Sequence, residues 1–174
     1  MHVVRELDAG DMILSKAVLI DPQDTGGSMH DRLADLAVPV LTETIELLAG
    51  GKAPRTPQDA ALSSYVPKLE RADGRLDWTM PAEALERRIR AYDPWPGTFT
   101  MACDSSGEKR LKIFPPASVA GDFQLAAGEV RAEGGSLIVG CGEESLCLSF
   151  VQPEGGRRMS SEDFLRGRIP SCFR

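Results

Sequence analysis

The chain has 174 residues, 42% apolar and 26% charged, with a net charge of −6. That length suits one ordinary core or two small ones joined by a linker, and the composition is that of a globular protein. No apolar run approaches the roughly 18 residues of a membrane span, and Met1-His2-Val3-Val4-Arg5-Glu6 puts charge where a signal peptide needs an apolar stretch, so a cytoplasmic protein is expected.

Val3, Val4, Ile13, Leu14, Val18, Leu19 and Ile20 favour extended structure. They predict strands over 3–7 and 12–20 around Asp8-Ala9-Gly10-Asp11, a hairpin. After the loop Asp21 to Gly27, Ser28 and Asp31 stand at helix-start spacing. Met29, Leu33, Leu36, Val40, Leu41, Leu47 and Leu48 then recur at three- and four-residue steps, so the spacing predicts an amphipathic helix, interrupted by Pro39 and stopped at Gly50-Gly51. The proline-rich polar stretch from Lys52 reads as a linker over 52–76, which divides the chain into segments 1–51 and 77–174.

Pro81 is placed like a first-turn proline, and Leu85, Ile89 and Tyr92 mark one face of a helix ending at Pro94. Short strands are expected at 98–103, 109–114, 128–132, 136–140 and 145–151. Turns fall at Asp104-Ser105-Ser106-Gly107, Gly134-Gly135 and Gly142-Glu143-Glu144. Five short strands suggest a small barrel. A last helix, Ser160 to Arg166, has Asp163 at capping distance and Gly167 beyond its end.

Cys103, Cys141, Cys147 and Cys172 form no C-x-x-C pair and lie far in sequence from His2 and His30. That spacing argues against a zinc site and, without a secretory signal, for free thiols. Charge is uneven: residues 1–62 hold 5 Lys/Arg against 10 Asp/Glu, and residues 63–174 hold 15 against 16. The second part is near neutral with clustered arginines and lysines, which allows a local basic face.

Three strings carry a family resemblance. Leu76-Asp77-Trp78 with Leu85-Glu86-x-x-Ile89-Arg90-Ala91-Tyr92-Asp93-Pro94-Trp95-Pro96-Gly97 resembles the start of the C-terminal domain of methionyl-tRNA formyltransferases. Leu7-Asp8-Ala9-Gly10-Asp11-Met12 is similar to the loop bearing their catalytic aspartate, with Ala9 where many members have threonine. Gln152-Pro153-x-Gly155-x-x-x-Met159-Ser160-x-x-Asp163-Phe164-Leu165-x-Gly167 resembles their C-terminal end. Taken from the residues alone, Trp95 between two prolines is a rigid turn, and Asp8 beside Ala9-Gly10 is equally a turn aspartate.

The resemblance implies an α+β chain: the remnant of a doubly wound α/β formyltransferase domain, hairpin plus helix, followed by an OB-like barrel with flanking helices. It implies formyl transfer from 10-formyltetrahydrofolate to the amino group of initiator methionyl-tRNA. Asp8 would orient a histidine which, with an asparagine, stabilises the developing oxyanion. Those two residues and the early folate-binding strands precede the Asp8 loop in the family, and neither His2 nor His30 stands in the right motif. The chain alone is therefore expected to be inactive. Its remnant is expected to expose apolar surface and an unpaired strand edge, to be covered by the N-terminal half, a second copy or the barrel.

The barrel is expected to hold tRNA phosphates through Lys68, Arg71, Arg75, Arg87, Arg88, Arg90, Lys109, Lys112, Arg157 and Arg158. Glu70, Asp73, Glu83, Glu86 and Glu108 offer the same side chains ordinary salt bridges. A stand-alone RNA-binding module and a fragment of an aminosugar-nucleotide formyltransferase are the alternatives.

Overall fold

The computed structural model describes residues 1–105, 107–121, 123–167 and 169–174. Two compact units emerge, one of residues 1–21 and 28–68, the other of residues 22–27 and 69–174.

In the first unit, helix α1 (Gly26–Ala49) begins two residues before the expected Ser28 and runs through Pro39 without breaking. None of its residues is buried. Leu36, Val40 and Leu47 are half-buried, while Val38, Leu41 and Ile45 on another side are 67%, 60% and 56% exposed. Apolar side chains thus stand on more than one side of this helix.

The hairpin expected over 3–7 and 12–20 is not formed. Residues 1–25 carry only an isolated bridge, in which Met12 N–H donates to the Thr56 carbonyl at 2.8 Å and Thr56 N–H returns the bond at 3.1 Å. The residue types suit a strand, but a strand is held by neighbours' N–H and C=O groups, and two strands alone are marginal in water. Among the described residues no strand pairs with 3–7 or 13–20, and Val3 and Leu19 are almost fully exposed.

The second unit is a mixed helix-and-sheet structure whose sheet nearly closes. Its strands are β1 (Thr98–Asp104), β2 (Gly107–Val119), β3 (Val130–Glu133), β4 (Ser136–Gly140), β5 (Ser145–Pro153), β6 (Met159–Ser160) and β7 (Cys172–Phe173), with helices α2 (Ala82–Ala91) and α3 (Ser161–Gly167). The order is β3-β4-β5-β2-β1-β7, every pairing antiparallel, and β6 pairs with β5. A bridge from Cys172 to Glu129, just before β3, brings the two edges together, which satisfies groups that an open sheet would leave unpaired.

All five expected strands are present within a few residues. β2 is longer than expected because it continues past Pro115-Pro116 by shifting register between Phe114 and Ala117. Prolines cannot donate to the ladder, so the irregularity falls there. Of the expected 104–107 turn, Ser106 lies outside the described residues. The two-residue strands β6 and β7 are too short to leave a periodic signal.

The core follows strand alternation in β2 and β4, with Leu111, Ile113, Leu137 and Val139 inward; on β5 Leu146 and Leu148 alternate, and Val151 points inward beyond the register shift opposite Pro115-Pro116. Helix α2 packs on β2 and β5 with Leu85 and Ile89 buried. Trp78 completes this core against Phe173, ring centres 5.6 Å apart. Its indole N–H donates to Thr100 Oγ1 at 2.9 Å, and that hydroxyl donates to the Arg174 carbonyl at 3.1 Å. Thr100→Val leaves the buried indole N–H unpaired and should lower stability by about 1–3 kcal/mol, read as the urea midpoint of the barrel; an unchanged midpoint contradicts it.

The Asp93–Gly97 string is the turn that delivers α2 into β1. Gly97 takes φ +74° and donates its N–H to the Tyr92 carbonyl at 2.8 Å. Its own carbonyl lies so close to Gly74 that a Cβ on Gly74 would come within 2.0 Å of it. A left-handed backbone and a close approach at the same point account for both glycines.

Candidate functional site

Asp8 is exposed and takes φ 52°, a region Asp and Asn tolerate better than most residues. Gln58 Nε2 fixes the loop from one side, donating to the carbonyls of Asp8 at 2.8 Å and Gly10 at 2.7 Å. Arg55 pairs with Asp11 at 3.2 Å, and His2 N–H donates to the Asp11 carbonyl at 2.8 Å. The loop is thus tethered by its backbone, while the Asp8 carboxylate makes no hydrogen bond to any described residue.

Asp8 is among the residues lining a cavity of about 720 Å³. Leu7, Met12 and Val66 form an apolar wall, with Ser63, Ser64 and Tyr65 among the other lining residues. Neither histidine lines it. His30 bonds Asp31 on the surface at 3.3 Å, and the His2 ring has a buried Nε2 without a partner.

The ten basic residues expected to meet phosphate are not brought together as one patch. Lys68 belongs to the first unit. On α2, Arg87 pairs with Glu83. Arg90 forks onto Glu86 at 2.5 and 3.0 Å and also donates to the Asp24 carbonyl at 2.8 Å. Both Arg90 and Glu86 side chains are only 18% exposed, and the hydrogen bonds Arg90 donates to Glu86 hold the guanidinium's pKa above its ordinary value. Arg90 therefore ties residues 22–27 to α2, helped by Gly27 N–H donating to the Asp93 carbonyl at 2.8 Å. Arg88 lies over the Tyr92 ring at 5.3 Å and Arg71 over the Trp95 ring at 5.7 Å. Arg75, Lys109 and Arg157 are exposed.

Lys112 and Arg158 do come together, with a residue the sequence reading left out. On β2, Leu111 and Ile113 are buried, so Arg110, Lys112 and Phe114 face outward. Register continues that face into β1 through Met101↔Arg110 and Phe99↔Lys112, and into β5 through Lys112↔Gln152 and Phe114↔Phe150. Arg110 lies over the Phe99 ring at 3.7 Å. Arg158 covers both Phe114, at 4.4 Å, and Phe150, at 5.0 Å. The period-two pattern of Arg110-Leu111-Lys112-Ile113-Phe114 was the signal for Arg110; Lys109 has the opposite parity.

All four cysteines are free thiols. Burial pushes the thiols of Cys103 and Cys141 up to about 11, so both are protonated at neutral pH. Iodoacetamide should modify them about 100-fold more slowly than a free thiol in the folded protein, with fast labelling only in denaturant; rapid alkylation of the folded chain contradicts this. Among the described residues no group of three or more His, Cys, Asp or Glu could hold a metal ion, and no helix is long and apolar enough to cross a membrane.

Comparison with known proteins places these features in a family. Residues 68–168 match the formyl transferase C-terminal domain. The methionyl-tRNA formyltransferase of Akkermansia muciniphila is 43% identical over 96% of this chain and 54% of its own length. That of Delftia acidovorans is 41% identical over 96% of this chain and 51% of its own. The chain spans about half the length of the curated relatives it matches. Crystal structures of HypX from Aquifex aeolicus share the fold. One variant has a TM-score of 0.63 at 20% identity over 93% of this chain and 29% of HypX, and a complex with tetrahydrofolic acid has a TM-score of 0.61. The chain belongs to the family of formyl transferase C-terminal domains.

Proposed function

We propose that the chain is the C-terminal portion of a cytoplasmic methionyl-tRNA formyltransferase, its barrel-like unit positioning initiator methionyl-tRNA for formylation. The observation that carries this reading is the match to relatives of that name over 96% of the chain. Residues 1–51 serve as the end of a doubly wound catalytic domain, 52–76 as the linker and 77–174 as the tRNA-side domain.

In this reading 10-formyltetrahydrofolate supplies the formyl group, and the residues present fit it only in part. The cavity beside Asp8 offers a carboxylate, hydroxyls and an apolar wall, but no histidine. Asp8 supplies one thing, an unpaired carboxylate on a tethered loop that can fix an imidazole arriving from outside these residues. The apolar sides of α1, with Leu41 and Ile45 more than half exposed, are faces for the other half of the enzyme to cover.

The test is formylation of methionyl-initiator tRNA with 10-formyltetrahydrofolate. The purified chain should give no formylated product, and fusing it to the N-terminal half of the Akkermansia muciniphila relative should restore turnover. Turnover by the chain alone removes the need for the other half; an inactive but folded fusion counts against the assignment.

A further inference from the structure

We infer that the outer face of β1, β2 and β5 is a stacking platform for the bases of an unpaired RNA segment, an inference that rests on the tRNA reading above and names its mode. Aromatic and basic side chains interleave there. Phe99, Phe114 and Phe150 alternate with Arg110, Lys112 and Arg158 across adjacent registers.

The basic groups on this face differ from Arg87 and Arg90 of α2 in having no acidic partner among the described residues. Arg87 and Arg90 are held by Glu83 and Glu86. Among the described residues none of Arg110, Lys112 and Arg158 is in an ion pair, and Arg158 donates only to the Pro115 carbonyl, at 3.1 Å. Arg110 has a buried Nε with no hydrogen-bond partner, an arrangement that costs free energy until an acceptor arrives. A phosphate is such an acceptor, and guanidinium suits it geometrically.

Phosphate contact alone would not need aromatic rings at the surface, yet Phe150 remains 36% exposed in a sheet with a well-filled interior. A guanidinium lying over a phenyl ring presents a second flat surface to a base while keeping its N–H groups for the backbone. Bases in a duplex are already stacked on each other, so such a surface favours unpaired nucleotides. The net charge of −6 does not oppose this, because residues 1–62 carry five of the six excess negative charges and residues 63–174 only one.

The test is a fluorescence-anisotropy titration of the full chain with a labelled single-stranded RNA of about ten nucleotides, compared with a hairpin duplex of the same composition. The single strand should bind at low salt and the duplex about tenfold more weakly. Phe150→Leu should weaken binding about tenfold with the salt dependence unchanged, because stacking is lost and charge is not. Phe150→Trp should retain binding. Arg158→Ala should weaken binding and flatten the log–log salt slope by about 0.7; its exposed side chain makes this variant a safeguard if Phe150→Leu misfolds. The inference is overturned by absent binding at low salt, by equal affinity for duplex and single strand, by folded Phe150→Leu and Arg158→Ala variants that both bind like the parent, or by an acidic peptide that outcompetes RNA. Restored formylation by the fusion with no oligonucleotide binding would remove the platform and leave the family role intact. Oligonucleotide binding without formylation would do the reverse.

Discussion

Asp8→Asn in the fused enzyme is expected to lower kcat on the order of 10²- to 10⁴-fold, the range for removing a contribution to positioned proton transfer, while leaving the melting temperature unchanged. The substitution separates the two readings of this aspartate. At φ 52° the position suits Asn as well as Asp, and the loop is tethered through the carbonyls of Asp8 and Gly10, which the change does not touch. A turn residue would therefore survive the exchange at full activity. A carboxylate that orients an imidazole and stabilises its charged form would not, since the amide has the same shape without the charge. If KM rises and kcat holds, Asp8 acts in binding and not in proton transfer, and the assignment made from the loop fails.

The barrel was far more legible than the segment before it, for a physical reason. Strands 98–104 and 145–153 announce themselves because buried positions interleave with more open ones within the same domain. Val3, Val4, Leu19 and Ile20 carry equal β-propensity but find no described neighbour to pair with, and propensity without a ladder does not hold an extended chain. Individual basic residues were visible in the sequence, but their partners were not. Arg90 and Arg158 look alike in a composition count; Glu86, one helical turn from Arg90, engages the first, and the second lies over Phe114 and Phe150, which the β2–β5 register sets opposite each other. Arg110 needed only the alternation of Leu111 and Ile113 to be placed on the outer face.

Leu85→Ala is expected to destabilise the barrel unit by about 2–5 kcal/mol, measured by urea unfolding of the chain. Leu85 is completely buried where α2 meets β2 and β5, in a cluster that includes Leu76, Trp78, Leu111 and Leu148, and a nearly closed sheet has little freedom to collapse into the gap. Leu41→Ala on α1, at 60% exposure, should move the same midpoint by no more than about 0.5 kcal/mol. The ranking should invert when the two halves are supplied as separate chains. Leu41→Asp, silent in the isolated chain, should then prevent reassembly of formylation activity, because it would place a charge on the face proposed to be covered by the other half. Reassembly at wild-type efficiency with Leu41→Asp would show that this side of α1 stays in water, and that the exposed stripe has another purpose.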